Sequence, residues 1–123
     1  MRIPANLALA ELGKSNKLFI ELFTHGTLAV EIYKPVTIDS QKPHDRDEVY
    51  VIIDGHGEFV CGKEQASFGK GDFLFVPAGV EHRFINFSDN FSTWVIFYGQ
   101  RVVKERFDRP LGYLRHLLSP LFH

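Results

Sequence analysis

The chain has 123 residues, of which 45% are hydrophobic and 14% aromatic, and its 14 basic side chains are balanced by 15 acidic ones. That length suits one domain rather than two, and the hydrophobic share excludes intrinsic disorder. Balanced charge, with no basic stripe and no acidic tail, argues against a nucleic-acid partner. No run approaches the roughly 20 apolar residues of a membrane span. The opening Met1-Arg2-Ile3-Pro4 lacks the apolar core of a signal peptide. A cytoplasmic protein with no membrane partner is the expectation. Cys61 stands alone, so no internal disulfide can form, and it reads as a small hydrophobe in a strand rather than a nucleophile.

In chain order, Asn6 to Leu12 reads as a short helical lead-in closed by Gly13. From Lys17 the period changes to two: Leu18, Ile20 and Leu22 alternate with Phe19, Glu21 and Phe23. His25-Gly26 turns the chain, and Leu28, Val30 and Ile32 alternate with Ala29, Glu31 and Tyr33 until Lys34-Pro35 ends the run. Glu48 to Ile53 reads as a strand, and Asp54-Gly55-His56-Gly57 as a hairpin turn into Glu58 to Cys61. Gly62-Lys63 turns again, and Ala66-Ser67-Phe68 leads to a turn at Gly69 to Asp72. Phe73 to Val76, Glu81 to Phe87 and Thr93 to Tyr98 follow as further strands. At least seven short strands with frequent turns predict a sandwich or barrel. Past Gly99 the period lengthens. Asp108-Arg109-Pro110 is a helix start, and Leu111, Leu114, Leu117, Leu118 and Leu121 fall on one face. This segment, about 108–121, reads either as a cover for the outside of the barrel or as a dimer element.

Two stretches carry chemistry. Gly71 to Asn86 fits G-x5-P-x-G-x2-H-x3-N with Gly71, Pro77, Gly79, His82 and Asn86. With average Gly and Pro usage near 7% and 5%, five such matches arise by chance on the order of once in ten million starts. Pro77-Ala78-Gly79 reverses the chain, after which alternation puts His82, Phe84 and Asn86 on one face of the next strand. The pattern resembles the second motif of the cupins. Their first motif resembles H-x-H-x3-E-x6-G, which here is met by His44, Glu48 and Gly55, with Lys42 in the first histidine place. The longer string Asp39 to Tyr50 is similar to a cupin subgroup in which Gln and His precede an Asp-Glu-Val-Tyr strand.

The resemblance implies an all-β double-stranded β-helix, or jelly-roll, barrel, with short terminal helices. It implies one cupin domain over residues 1–123, with a barrel core at about 17–99. It further implies that His44, Glu48 and His82 ligate one divalent metal. Two imidazoles and a carboxylate suit Fe, Mn, Ni or Zn. Gln41 could add a carbonyl oxygen if Pro43 distorts the strand. Lys42 could turn inward, where its ammonium would offset Glu48 without any metal, or swing to solvent. Tyr50 and Ile52 should share the inward face with Glu48, and Phe84 that with His82, giving a pocket of Gln41, Lys42, Tyr50, Phe84 and Asn86 for a small-molecule ligand. His25, His56, His116 and His123 read as solvated.

Three functions fit. One is a metal-dependent oxygenase or isomerase acting on a small organic molecule. Another is a non-catalytic ligand-binding or accessory module, with or without metal. The third is a structural dimer with a vestigial site. A homodimer is expected, because small barrels have edges to cover.

Overall fold

A computed structural model describes residues 1–102 of the chain. The leucine-faced segment at 108–121 lies outside the described residues. Helix α1 (Ala5–Ser15) is followed by eight strands: β1 (Phe19–His25), β2 (Leu28–Tyr33), β3 (Asp47–Asp54), β4 (His56–Cys61), β5 (Glu64–Gly69), β6 (Phe73–Val76), β7 (His82–Ile85) and β8 (Ser92–Tyr98). One antiparallel sheet has the order β1-β2-β8-β3-β6, the other β5-β4-β7. Their inner faces enclose an aromatic core built from Tyr50, Phe59, Phe68, Phe84 and Phe91, with Ile52, Val76 and Val95 around it. This is the expected all-β jelly-roll architecture. No helix among the described residues is long and apolar enough to cross a membrane.

Alternation decides what each strand offers the interior. On β3, Glu48, Tyr50 and Ile52 are buried, and on β7, His82 and Phe84. On β2, Ile32 faces the other way, under Ala8 and Leu12 of α1, with Ile20, Leu22, Ile53 and Trp94 around them. The helix thereby covers the outer face of the large sheet. It does not stop at Gly13 but runs through it to Ser15, and Asn16 in the left-handed conformation (φ 57°) ends it. Asn tolerates that conformation and does the terminating work expected of Gly13.

The Asp54-Gly55-His56-Gly57 turn is not a hairpin. The two strands it joins lie in different sheets, β3 pairing with β6 and β8 while β4 pairs with β5 and β7. Gly55 takes φ 88°, and a Cβ there would come within 2.5 Å of the Phe91 backbone. Only glycine turns this corner so close to the chain. The corner brings β3 and β7 face to face, and with them the two motifs.

Candidate metal centre and adjoining cavity

Three segments meet at one end of the interior. Strand β3 presents Glu48, β7 presents His82, and the loop between β2 and β3 brings His44. The Pro77–Gly79 turn is tied to that loop, since Gly79 N–H donates to the His44 carbonyl at 2.8 Å and Ala78 N–H to Asp47 Oδ1 at 2.9 Å. From the other side, Arg101 Nη1 donates to both Asp45 oxygens at 2.9 and 2.8 Å. The loop is thus clamped on both flanks.

His44, Glu48 and His82 each offer one ligand atom, and these atoms lie within 4.8 Å of one another. Glu48 Oε1 is 3.1 Å from His82 Nε2 and 3.7 Å from His44 Nε2. The first distance lacks the alignment of a hydrogen bond. Glu48 Oε1 and Oε2 and His82 Nε2 are all buried without a hydrogen-bond partner among the described residues. Such groups are costly to bury unpaired. His82 Nδ1–H donates to the Val80 carbonyl at 2.9 Å, which leaves Nε2 with its lone pair toward Glu48.

Electrostatics separates the two imidazoles. Burial pulls His44 below its ordinary value, and the Glu48 charge only partly opposes this. Burial pulls on His82 as well, but Glu48 and the Val80 carbonyl outweigh it and hold the ring above its ordinary value.

Gln41 stands beside the cluster. Its side-chain NH2 donates to Asp39 Oδ2 at 3.0 Å, so its carbonyl oxygen faces the site, 3.3 Å from His44 Nε2 and accepting Tyr50 O–H at 3.0 Å. Burial and Glu48 keep the Tyr50 phenol protonated and therefore a donor. Asp39, itself buried, organises this side: it accepts Tyr33 O–H at 2.6 Å, Gln41 N–H at 3.3 Å and Phe84 N–H at 2.8 Å. Sequence reading missed Asp39 as a functional residue. The one signal was its place at the head of the Asp39–Tyr50 string.

Two expectations for the pocket need correction. Asn86 does not share the His82 face. Strand β7 ends at Ile85, Asn86 turns left-handed (φ 51°), and its amide reaches Glu58 at the surface at 2.9 Å. Alternation holds only while the backbone stays extended. Phe84 is core rather than pocket wall, packed by the rings of Tyr50, Phe59, Phe68 and Phe91 at centroid distances of 4.6–5.2 Å. Of the two alternatives for Lys42 the structure takes the second: the side chain is exposed, has no ion pair to Glu48 among the described residues, and lines a depression with Gln41, His82, Glu81 and Arg83.

A further open space lies on the other side of His44. A cavity of about 650 Å3 reaches from His44 and Gln41 across Phe97 and Val95 on β8 to Glu31 and Tyr33 on β2. Its volume is in the usual range for small-molecule sites. It opens here because β2 and β8 offer Ala29 and Val95 inward, whereas phenylalanines fill the volume below His82. Cys61 at the end of β4 is half-buried, and burial pushes its thiol up, as suits an inert side chain.

Residues 29–98 match the family model of the cupin domain. The chain is 32% identical over 90 residues to SCO3923, an uncharacterised protein of Streptomyces coelicolor, covering 72% of this chain and 86% of that one. Among solved structures, protein NMB1881 of Neisseria meningitidis superposes with a TM-score of 0.66 at 20% identity, over 80% of this chain and 100% of the other. A cupin-2 domain protein of Shewanella frigidimarina gives 0.59 at 17% identity, over 79% and 94%. KdgF of a Halomonas species gives 0.58 at 15%, over 68% and 78%.

Proposed function

The chain belongs to the cupin family, and on that footing we propose that His44, Glu48 and His82 hold one divalent metal and that the protein is a metal-dependent enzyme acting on a small organic molecule in the adjoining cavity. One observation carries the metal reading: Glu48 Oε1, Glu48 Oε2 and His82 Nε2 are buried, close together and without hydrogen-bond partners among the described residues. A cation satisfies all three at once. The donor set fits Fe(II), Mn(II), Ni(II) or Zn(II). When bound, such an ion supplies Lewis-acid polarisation of an oxygen or, for iron, activation of dioxygen.

The chain's own residues supply the rest. The Val80 carbonyl holds His82 in the tautomer that ligation needs. Asp39 and Tyr50 fix the Gln41 carbonyl beside His44, where it can accept a hydrogen bond from a ligand once His44 Nε2 is given to the metal. Phe97 and Val95 keep one wall of the cavity apolar and restrict water there. The test is elemental analysis of protein purified without added metal, joined to turnover assays of the metal-loaded protein on small acids, phenols and sugars. One ion per chain, lost in Glu48→Gln, supports the centre, and turnover lost with it supports the enzyme. The raised His82 beside Glu48 favours one other reading, a metal-free imidazolium–carboxylate pair. Protein that takes up no metal would select that reading.

A further inference from the structure

Five charged side chains outside the metal centre line the cavity; Asp45 and Arg101 pair with each other and Lys17 is exposed, which leaves Arg46 and Glu31. Arg46 lies before β3 with its guanidinium over the Phe97 ring, 5.1 Å from the centroid. Its Nη1 donates to the Thr27 carbonyl at 3.2 Å. Its Nε is buried and has no acceptor among the described residues, since the nearest carboxylate, Asp45, is 3.8 Å away and engaged by Arg101. Glu31 also lines the cavity, half-buried on the inner face of β2, with no hydrogen bond or ion pair among the described residues. Between them the walls are Leu18, Phe19, Val95 and Phe97.

A buried guanidinium N–H without an acceptor invites an anion; the fork matches carboxylate and phosphate alike, and the acidic neighbours Glu31 and Glu48 favour the singly charged carboxylate. We propose that this cavity binds a small organic carboxylate with an apolar body, its anionic end held by Arg46 and its far end against Glu31, which takes up a proton when the ligand enters. This deepens the proposed function and rests on it for the cavity being the substrate's. The body packs on Phe97 and Val95, and the end nearest His44 and Gln41 meets the metal centre.

The surroundings of Glu31 support proton uptake. Glu21 on β1 is its register partner, Glu48 approaches from β3, and Arg46 and His44 come from the loop before β3. Tyr33 shares its strand, Lys17 and the paired Asp45 and Arg101 also line the cavity, and β8 contributes only apolar side chains. Burial first, then repulsion from Glu21 and Glu48, pushes the Glu31 carboxyl up to about 7 against the pull of Arg46. An arriving anion adds to that repulsion, so the carboxylate takes a proton from solvent.

Benzoate is the probe, with benzamide as its neutral counterpart. Titration calorimetry on the full chain, in EDTA and again with zinc, is run at pH 7.5 in two buffers of different ionisation enthalpy. Saturable benzoate binding is expected, about tenfold or more tighter than benzamide, and Arg46→Met should lose that margin. Arg46→Lys keeps the charge but not Nε and should recover only part of it. Wild type should take up a fraction of a proton per benzoate, and Glu31→Gln should take up none. Equal binding of benzoate and benzamide, or undiminished binding in a folded Arg46→Met, overturns the proposal. Proton uptake that persists in Glu31→Gln overturns the role of Glu31. Benzoate binding without any zinc-dependent change in melting temperature sinks the metal reading alone, and a zinc response without benzoate binding sinks the cavity proposal alone.

Discussion

Replacing Glu48 with glutamine should change stability in opposite directions with and without metal. The Glu48 side chain is fully buried, neither oxygen has a hydrogen bond among the described residues, and the His82 lone pair at Nε2 is 3.1 Å away. A glutamine amide can donate to that nitrogen while Nδ1–H keeps its bond to Val80. Leaving a buried polar group unsatisfied costs about 1–3 kcal/mol, so the lower part of that range, about 1–2 kcal/mol, should be recovered in the metal-free variant. At about 4 °C per kcal/mol for a domain of this size, Glu48→Gln should melt roughly 4–8 °C above wild type in EDTA. Metal at about 100 times its dissociation constant adds about 2.7 kcal/mol to the wild type, roughly 10 °C. The variant lacks the anionic ligand and should gain little, so the order of the two melting temperatures inverts. Calorimetry of both proteins in EDTA and in zinc or manganese, on the alkaline side of the raised His82 value where Nε2 is unprotonated, reads this directly. A variant less stable than wild type in EDTA, or equally stabilised by metal, would refute the reasoning.

The metal-dependent rise in melting temperature should begin to fade while pH is still above the ordinary imidazole value of 6.5, because the raised His82 binds a competing proton early on acidification. In EDTA the same group acts with the opposite sign: its raised folded value adds stability at low pH that is lost as pH rises through it. A melting series from pH 5 to 8 with and without metal should show the two slopes opposed. Lys42→Ala should leave the metal response within error in the same assay, since Lys42 is exposed and unpaired with Glu48. Phe84→Ala should cost about 3–5 kcal/mol by denaturant titration, as expected for a buried ring in a packed core. A loss under 1 kcal/mol would mean that the aromatic core is looser than its centroid distances indicate.

Much of the architecture was legible from local pattern. Period-two alternation placed Glu48, Tyr50 and Ile52 on one face of β3, and His82 with Phe84 on one face of β7, because the pleat alone sets which way successive side chains point. Resemblance of the two motifs to those of the cupins grouped His44, Glu48 and His82 into one candidate centre, and the structure puts their ligand atoms together. Pattern failed where the backbone left the extended region. Asn86 turned outward at φ 51°, and the helix ran past Gly13 to Asn16. It also could not decide between turns that pair strands and turns that change sheets. The corner at Gly55 depends on Phe91, 36 positions later, lying against it.

Everything that makes the cavity was tertiary. Glu31, Arg46 and Phe97 come from three separate stretches of chain, each unremarkable in its own: an exposed-looking Glu in an alternating strand, an Arg among loop charges, and a Phe among twelve. Strand order β1-β2-β8-β3 sets Glu31 across from Val95 and Val95 across from Tyr50, so residues 64 and 45 positions apart come to lie side by side. Asp39 gained its role the same way, by meeting Tyr33, Gln41 and the Phe84 amide at one carboxylate. Local sequence determines the direction of a side chain. Which chain segments then close around it is decided by long-range pairing, whose cost in loop entropy and gain in burial belong to the whole fold.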